Sequence, residues 1–281
     1  MNQESVDLFP DTENMPELPE VETIVNRLRA DLTGRTILSA DLLWERTLAT
    51  PTPALFRKNI IEQSISTVKR RGKYIILPLS VDTLLIHLRM SGDILIREDD
   101  VPIHKHDRLI LHLSDKHYLA FSNMRKFGRV WLTPNPDDIL GKLGPEPLDD
   151  DFTTELLYER LQRHKRQIKS LLLDQSFIAG MGNIYTDEAL HLAGLHPLAK
   201  SDLIKRKQAE ILWRSIRSVL EEGIRRNGTS IDWIYRGGDF QNYLHVYGRA
   251  DEPCLNCGSP IQRITVGQRG THFCPQCQKI A

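Results

Sequence analysis

The sequence predicts an α+β fold in which one N-terminal helix, a strand-rich region and a helical region follow one another. Three patterns support this prediction: helical spacing of apolar residues over 20–32, short apolar runs over 37–132, and helical spacing again over 155–223. Turn-forming residues separate the short runs, which favours an antiparallel sandwich or barrel. A chain of 281 residues is long enough for two domains.

The elements can be placed in order. The first helix ends at Gly34, and its buried face carries Val21, Ile24, Val25, Leu28 and Leu32. The predicted strands cover residues 74–79, 83–88, 94–96, 109–113, 118–121 and 130–132. Residues 134–151 are rich in Pro and Asp and form a predicted linker. The predicted helices after it cover residues 155–161, 168–174, 185–193 and 201–223.

A start-like segment, Met-Pro-Glu-Leu-Pro-Glu-Val-Glu, occupies residues 15–22 rather than the first positions of the chain. If Met15 were removed, Pro16 would present a secondary amine, which can condense with a sugar aldehyde carbon to give an iminium. An α-amino group titrates near ~8, so a useful fraction is an uncharged nucleophile at neutral pH. Taken alone, the segment fits an ordinary proline-rich helix start equally well or better.

All four cysteines lie near the other end, as Cys254, Cys257, Cys274 and Cys277. Two CxxC pairs at this separation are typical of a tetrahedral zinc site. The alternative, two disulfides in a secreted protein, is disfavoured because the sequence shows no signal-peptide pattern, and we expect a reducing, cytoplasmic setting. The residues between the pairs suit a β-hairpin from which Arg269 projects, and arginine on such a hairpin is well suited to gripping phosphate.

The net charge of zero argues weakly against a nucleic-acid partner, but the charges are unevenly distributed. Residues 1–14 carry four acids and no base, so the rest of the chain has a net charge of +4. Basic residues also cluster over a short stretch, at Arg160, Arg163, Lys165, Arg166 and Lys169. Such a run is either a solvated helix face or, beside a DNA-binding hairpin, a phosphate-facing surface. No apolar run approaches the ~20 residues that a membrane span needs.

Over residues 15–281 the chain resembles the bacterial formamidopyrimidine-DNA glycosylases, whereas residues 1–14 have no counterpart. The matching motifs appear in the family's order: the segment at 15–23, Arg-Gly-Lys-Tyr at 71–74, His-Leu-Arg-Met-Ser-Gly at 87–92, Arg-Lys-Phe-Gly at 125–128, Leu-Gly-Pro-Glu-Pro-Leu at 143–148, Gly-Asn-Ile-Tyr at 182–185, Val-Tyr-Gly-Arg at 246–249 and Gln-Arg-Gly-Thr-His-Phe-Cys at 268–274.

The resemblance implies a particular layout. It comprises a catalytic two-sheet β-sandwich over 15–133 with the N-terminal helix, the linker 134–151, a helix-two-turns-helix DNA-binding domain over 152–243 and a zinc finger over 244–281. We expect residues 1–14 to be a disordered or untranslated extension. DNA would run through the cleft between the two lobes.

The resemblance also implies an activity. The family removes oxidised purines, formamidopyrimidines and 8-oxoguanine, from double-stranded DNA, and nicks the abasic strand by β,δ-elimination through a Schiff base. We therefore expect a monomeric enzyme that binds DNA with oxidised bases or abasic sites and carries one structural Zn²⁺.

Residue roles follow from the motifs by resemblance. Pro16 matches the nucleophile and Glu17 the acid/base, while Lys73 matches the lysine that assists β-elimination and Arg269 the arginine that binds phosphate at the damage. Glu20 either orients the N-terminus or is a plain helix-start carboxylate.

The remaining matched residues would contact DNA. Met90, Arg125 and Phe127 match the residues that fill the gap left by the extruded base, with Arg125 reading the opposite base. The other residues expected to contact DNA are Glu20, His106, Lys165, Lys169, Asn183 and Glu188, of which Glu188 could instead be a structural helix acid. Four further histidines, His112, His117, His191 and His196, have no such match and are expected to pack in the protein or lie on its surface.

Two departures from the family pattern bear on function. Lys126 stands where many relatives have a second arginine, and the stretch 228–246, which holds the base-capping loop in relatives, is short around Tyr235 and Arg236. The second departure puts in question how tightly 8-oxoguanine is held. Two alternatives stay open: an endonuclease VIII-like enzyme for oxidised pyrimidines, and a non-catalytic damaged-DNA binding protein if residues 1–14 are retained.

Overall fold

A computed structural model describes residues 15–230 and 237–280. The predicted extension and the Tyr235–Arg236 part of the predicted capping loop lie outside these residues. The strands of the first domain are, in chain order, β1 (Ile37–Leu42), β2 (Leu48–Thr50), β3 (Lys69–Arg71), β4 (Tyr74–Pro78), β5 (Thr83–His87), β6 (Gly92–Glu98), β7 (Asp107–Leu113), β8 (His117–Asn123) and β9 (Arg129–Thr133).

These strands form two sheets, a four-stranded one in the order β1-β7-β8-β6 and a five-stranded one in the order β2-β9-β5-β4-β3. Alternate apolar side chains from both sheets, such as Ile75, Ile86, Leu111 and Leu119, are fully buried in one shared core. The predicted sandwich is therefore confirmed. The prediction of purely antiparallel pairing is wrong at one edge, because the short strand β2 pairs parallel to β9.

The helices are α1 (Leu18–Leu32), α2 (Pro53–Ile60), α3 (Asp137–Leu140), α4 (Thr154–Gln162), α5 (Ile168–Leu172), α6 (Asn183–Leu192) and α7 (Arg206–Arg225). The predicted linker contains the one-turn helix α3, and α7 begins later than predicted because residues 201–203 form a separate 3₁₀ turn. A second apolar core joins α4 to α7 and includes Leu157, Leu171, Leu190 and Leu212. Among the described helices, none is long and apolar enough to cross a membrane.

Helix α1 connects the two cores. Its residues Val21, Ile24 and Val25 pack in the sandwich core, whereas Leu18 at its first turn belongs to the helical core. The Leu18 backbone N–H also donates to the Gly180 carbonyl at 3.1 Å. The start of α1 is therefore held at the junction of the two lobes.

The linker is fixed to the sandwich by one buried carboxylate. Glu146 accepts hydrogen bonds from Arg70 at 2.7 Å, from Arg71 at 2.9 Å and from the Gly72 backbone N–H at 2.5 Å. Arg70 also pairs with Glu22 of α1 at 2.7 Å. Because Gly72 and Lys73 form the turn between β3 and β4, Glu146 holds this turn against the linker.

The C-terminal hairpin consists of β10 (Gln262–Val266) and β11 (Arg269–Phe273), paired antiparallel. The hairpin predicted between the two CxxC pairs is thus confirmed. Its strand β11 packs against α6, where the Asp187 carboxylate accepts the His272 backbone N–H at 2.8 Å.

Candidate active site and DNA interface

The site begins at the residues just before α1. The Glu20 carboxylate accepts the Glu17 backbone N–H at 2.9 Å, and its other oxygen accepts the Tyr185 hydroxyl at 2.7 Å and the Thr229 backbone N–H at 2.8 Å. Glu20 is buried with all these bonds made within the protein. The prediction that it contacts DNA is therefore wrong, and its contacts support the alternative that it orients the start of the helix.

Glu17 is buried beside the turn that leads into α6. One carboxylate oxygen accepts the Ile184 backbone N–H at 2.9 Å, whereas the other has no hydrogen-bond partner among the described residues. Gly182 makes this close approach possible, because a Cβ there would lie 2.3 Å from the Glu17 carboxyl carbon. Burial raises the pKa of Glu17 to about 7, with Glu20 adding to the rise and Lys73 opposing it.

Three of the four predicted catalytic residues line one cavity of about 230 Å³: Glu17, Lys73 and Arg269. Met15 also lines this cavity, so the peptide bond between Met15 and Pro16 lies at its edge. Asn183, predicted to contact DNA, is on the cavity wall as well, and its side-chain amide donates to the Gly270 carbonyl at 3.0 Å. Residues far apart in the sequence thus converge on one concave site.

The cavity is rich in cations. Burial lowers the pKa of Lys73, and the nearby Arg269 and Arg89 lower it further, while Glu17 and Glu20 oppose the change. Burial also lowers the pKa of His87 to about 3, again with help from Arg89 and Lys73, so this imidazole is neutral at physiological pH. A cavity lined by Lys73, Arg89 and Arg269 is suited to an anionic ligand.

Sequence reasoning missed His87 and Arg89 as cavity residues. Both lie in the motif at 87–92, which was matched as a whole but yielded only Met90 as a site residue. The available signal was the position of a histidine near the end of the predicted strand 83–88, two residues before Arg89. The Arg89 backbone N–H donates to His87 Nδ1 at 3.1 Å, which fixes the turn that points both residues at the cavity.

Arg269 opens strand β11, and a buried ion pair holds this strand in place. Lys169 Nζ lies 2.7 Å from Asp187 and donates to the Gly270 carbonyl at 3.0 Å. The Lys169 side chain is 0% exposed, so the prediction that it faces DNA phosphates is wrong. Its charge serves instead to anchor the residue that follows Arg269.

The three residues predicted to fill the extruded-base gap come together on the surface. The Arg125 guanidinium lies 3.9 Å from the Met90 sulfur and 6.0 Å from the centre of the Phe127 ring. Phe127 is 54% exposed, so its ring is available for insertion into a stack of bases. We call Met90, Arg125 and Phe127 the wedge.

The remaining predicted contacts divide into two groups. Lys165 is exposed and His106 is half-buried, so both side chains are accessible to solvent and their DNA contacts stay a prediction. Glu188 is buried, and its carboxylate accepts the backbone N–H groups of His245, Val246 and Tyr247 at 2.8–2.9 Å. The prediction that Glu188 contacts DNA is therefore wrong, and the alternative of a structural helix acid holds.

Most of the unmatched histidines behave as expected. His191 and His196 are buried against other residues of the protein, and His112 pairs with Asp41 on the surface at 3.0 Å. His117 lies near Asp115 at 3.0 Å.

The cysteines form a site that fits zinc. The four sulfur atoms of Cys254, Cys257, Cys274 and Cys277 all lie within 4.8 Å of one another. The Cys254–Cys277 and Cys257–Cys274 sulfurs are 3.9 and 3.4 Å apart. Tetrahedral zinc with Zn–S bonds of about 2.3 Å requires sulfurs about 3.8 Å apart. Four thiolates leave no open position for water, so the zinc is structural.

Three family models match the chain: "Formamidopyrimidine-DNA glycosylase N-terminal domain" over residues 15–130, "Formamidopyrimidine-DNA glycosylase H2TH domain" over 143–234, and "Zinc finger found in FPG and IleRS" over 251–280. The zinc-finger match and the sulfur geometry together establish the predicted zinc site.

Relatives and solved structures agree with the models. The formamidopyrimidine-DNA glycosylase of Protochlamydia amoebophila is 45% identical over 275 residues, covering 94% of this chain and 100% of the relative. That of Chloroflexus aurantiacus is 46% identical over 274 residues, covering 94% and 98%. A Lactococcus lactis FPG structure in complex with DNA containing an abasic site is similar with a TM-score of 0.88 and 37% identity, covering 94% of this chain and 99% of that one. With matched models over most of its length and relatives of this similarity, the chain belongs to the formamidopyrimidine-DNA glycosylase family.

Proposed function

We propose that this protein is a bifunctional base-excision enzyme, which removes oxidised purines from double-stranded DNA and then cleaves the strand at the abasic site. Family membership supports this, and a Lactococcus lactis FPG relative has been solved with DNA containing the formamidopyrimidine lesion FAPY-dG, at 38% identity and a TM-score of 0.87. The observation that carries the proposal is the convergence of a buried acid, Glu17, a buried lysine, Lys73, and an arginine, Arg269, on one cavity beside Pro16.

The residues of the cavity supply the chemistry in order. A free Pro16 amine attacks C1′ of the sugar, forming an N–C1′ bond as the bond to the damaged base breaks. Glu17 in its acid form gives the proton that the sugar ring oxygen or departing base needs, and the ring opens to an iminium. The Glu17 carboxylate left by this transfer takes the C2′ proton, and the C3′–O bond breaks to expel the 3′-phosphate. Loss of the C4′ proton to water then breaks the C5′–O bond and expels the 5′-phosphate. Lys73 and Arg269 hold these phosphates as they leave.

The free amine is essential to this scheme. In the 281-residue chain, the Pro16 nitrogen is part of a peptide bond and has no nucleophilic lone pair. Because Met15 lines the cavity, its removal would free the amine and clear space at the same place. We therefore propose that the active form begins at Pro16.

Borohydride trapping tests this proposal. Protein beginning at Pro16 and protein beginning at Met1 are each incubated with a duplex containing 8-oxoguanine and sodium borohydride. We expect a covalent protein–DNA adduct, attached at Pro16, only with the shorter form. Efficient trapping of the intact 281-residue form would exclude Pro16 as the nucleophile and make Lys73 the first candidate.

The two alternatives have distinct outcomes in the same assay. Trapping on duplexes with oxidised pyrimidines but not with formamidopyrimidines would indicate the endonuclease VIII-like activity, which the family assignment disfavours. Binding of damaged duplex without any adduct, by either form, would indicate a non-catalytic damage-binding protein. We also propose that the protein acts as a monomer on chromosomal DNA in the cytoplasm, where thiolates stay reduced and keep their zinc.

A further inference from the structure

Two cationic side chains lie over the ring of Trp44, and neither has a role in the mechanism proposed above. The Lys126 ammonium lies 4.1 Å from the centre of the indole ring, and the Arg46 guanidinium carbon lies 5.8 Å from it. Arg129 donates from its guanidinium to the Arg46 carbonyl. We call Trp44, Arg46, Lys126 and Arg129 the Trp44 surface.

The charges of this surface are not neutralised within the protein. Among the described residues, no carboxylate forms an ion pair with Arg46, Lys126 or Arg129, whereas the neighbouring Glu45 pairs with Arg57. A cation over an aromatic face is held in position without losing its charge. Three ordered cations without acidic partners therefore remain available to an external anion.

The sheet register places this surface in line with the cavity. Tyr74 pairs with His87 and His87 pairs with Arg129 across three adjacent strands, and Leu48 pairs with Val130. Lys73, His87, Arg129 and Arg46 thus lie at the same end of the five-stranded sheet. Adjacent strands are about 4.8 Å apart, so the row from β4 to β2 spans roughly 14 Å.

The wedge adjoins the same surface, since Lys126 stands between Arg125 and Phe127 in the chain. If the cavity holds the damaged strand and the wedge enters the base stack, cations beyond the wedge meet the other strand. The two grooves of a duplex are ~6 and ~12 Å wide, so a row of roughly 14 Å reaches from one backbone to the other across either groove.

We infer that the Trp44 surface binds backbone phosphates of the undamaged strand opposite the lesion. This inference rests on the proposed function, because it requires a damaged duplex in the cleft. It assigns Trp44 the role of holding Lys126 in position, and it gives the enzyme a grip on the strand that it does not cut.

Lys126→Met tests the inference by its effect on the salt dependence of binding to a duplex with a reduced, uncleavable abasic site. Loss of one phosphate contact should lower the log–log salt slope by about 0.9 and weaken binding by about 8-fold at ~0.1 M salt. Trp44→Leu should change both quantities in the same direction, and Trp44→Phe, which keeps an aromatic face, should change them less. Lys116→Met is the matched control, because Lys116 is also exposed with a φ of 62°, close to the 61° of Lys126, but lies on the turn between β7 and β8.

Neutral methylphosphonates identify the strand. Single replacements on the undamaged strand opposite the lesion should weaken binding of the unmodified protein but add no further loss to Lys126→Met. Two results would overturn the inference while leaving the proposed function intact. One is that the loss from Lys126→Met is non-additive with replacements on the damaged strand instead; the other is that Lys126→Met leaves the salt slope unchanged. If the unmodified protein does not bind the damaged duplex at all, the proposed function itself fails.

Discussion

The side chains of the cavity owe their chemistry to burial. Removing a carboxylate and an ammonium from water disfavours the charged form of each, which raises the pKa of Glu17 and lowers that of Lys73. The two charges partly oppose these effects of burial, since Lys73 lowers the pKa of Glu17 and Glu17 raises that of Lys73. Glu17 is thereby a carboxylic acid that is protonated about half the time near neutral pH, as proton transfer requires.

The pH dependence of base excision should show this acid. Because Glu17 has a pKa of about 7, its acid form is lost as pH rises, and the single-turnover excision rate should fall above about pH 7. Glu17→Gln should lower the rate by about 10²- to 10⁴-fold and remove this descending limb. Lys73→Met should shift the limb to higher pH, since the lost ammonium no longer favours the carboxylate. Lys58→Met, at an exposed position, is the control, and a flat profile between pH 6 and 8.5 in the unmodified enzyme would contradict the role of Glu17.

Arg125 should determine which base is accepted opposite the lesion. Its guanidinium lies exposed between Met90 and Phe127, and its N–H donors suit the acceptors on the edge of cytosine. We expect the native protein to excise 8-oxoguanine faster opposite cytosine than opposite adenine, and Arg125→Ala to flatten this ratio. The measurement is excision from the two duplexes under single-turnover conditions. An unchanged ratio in the variant would count against the assignment.

At the scale of elements, the C-terminal hairpin acts as a holder for Arg269. It is fixed at one end by the cysteine cluster and at the other by Lys169 and Asp187, which bind the backbone of β11 through Gly270 and His272. A hairpin of this size has little core of its own, so both anchors are needed to keep a guanidinium at the cavity.

Zinc removal should unfold the C-terminal hairpin and leave the sandwich folded. We expect one zinc per chain, and a chelator should abolish binding to abasic-site DNA because Arg269 is no longer presented. Amide hydrogen exchange should rise in β10 and β11 and stay unchanged in β4 to β9, since the sandwich core has no residue from the hairpin. Metal analysis that finds no zinc, with the cysteines in disulfides, would contradict this.

Breaking the second anchor, the buried Lys169–Asp187 pair, should lower the free energy of unfolding of the protein. Lys169→Met leaves the buried Asp187 without its ammonium partner, and the loss of one member of a buried pair typically costs about 3–5 kcal/mol, or about 10²- to 10⁴-fold in the folding equilibrium. Arg163→Met is the matched control, because the Arg163–Glu159 pair is exposed and such pairs contribute roughly 0–1 kcal/mol. Urea denaturation of both variants gives the comparison. Equal midpoints for the two would show that Lys169 is not an anchor.

At the scale of the whole molecule, the two lobes are joined by α1 and by the Glu146 cluster. Leu18 and Val21 place α1 in both cores, and Glu146 ties the linker to the turn that carries Lys73. The position of the lysine in the cavity therefore depends on the junction between lobes as well as on its own strand.

Glu146→Ala should weaken both the junction and catalysis. Arg70 and Arg71 would lose a buried carboxylate, and the Gly72 N–H would lose its acceptor, so we expect a lower denaturation midpoint and a lower turnover rate. Glu146→Gln keeps a hydrogen-bond acceptor but no charge. Its denaturation midpoint and turnover rate should lie between those of the unmodified protein and those of Glu146→Ala. Glu98→Ala, at an exposed strand end, should change neither quantity. A normal turnover rate in Glu146→Ala would show that the position of Lys73 in the cavity does not depend on the junction between the lobes.

Local sequence patterns are sufficient to predict the periodic elements and the short motifs of this protein. The spacing of Val21 and Leu28, the short apolar runs of β4 to β9, and the paired CxxC motifs each depend on neighbours within a few residues, so pattern alone is sufficient for them. Motif resemblance further indicated Glu17, Lys73 and Arg269, which the cavity brings together.

Which polar residues are buried, and what they contact, could be seen only once the chain is folded. Lys169 belongs to a basic run in the sequence, yet Asp187 and Gly270, 18 and 101 positions away, enclose it. Glu188 and Glu20 likewise contact backbone from distant loops rather than solvent, and His87 and Arg89 reach the cavity through a turn. The physical reason is that the protonation and role of a charged group depend on its partners and its exposure to water, and both are set by packing between distant segments.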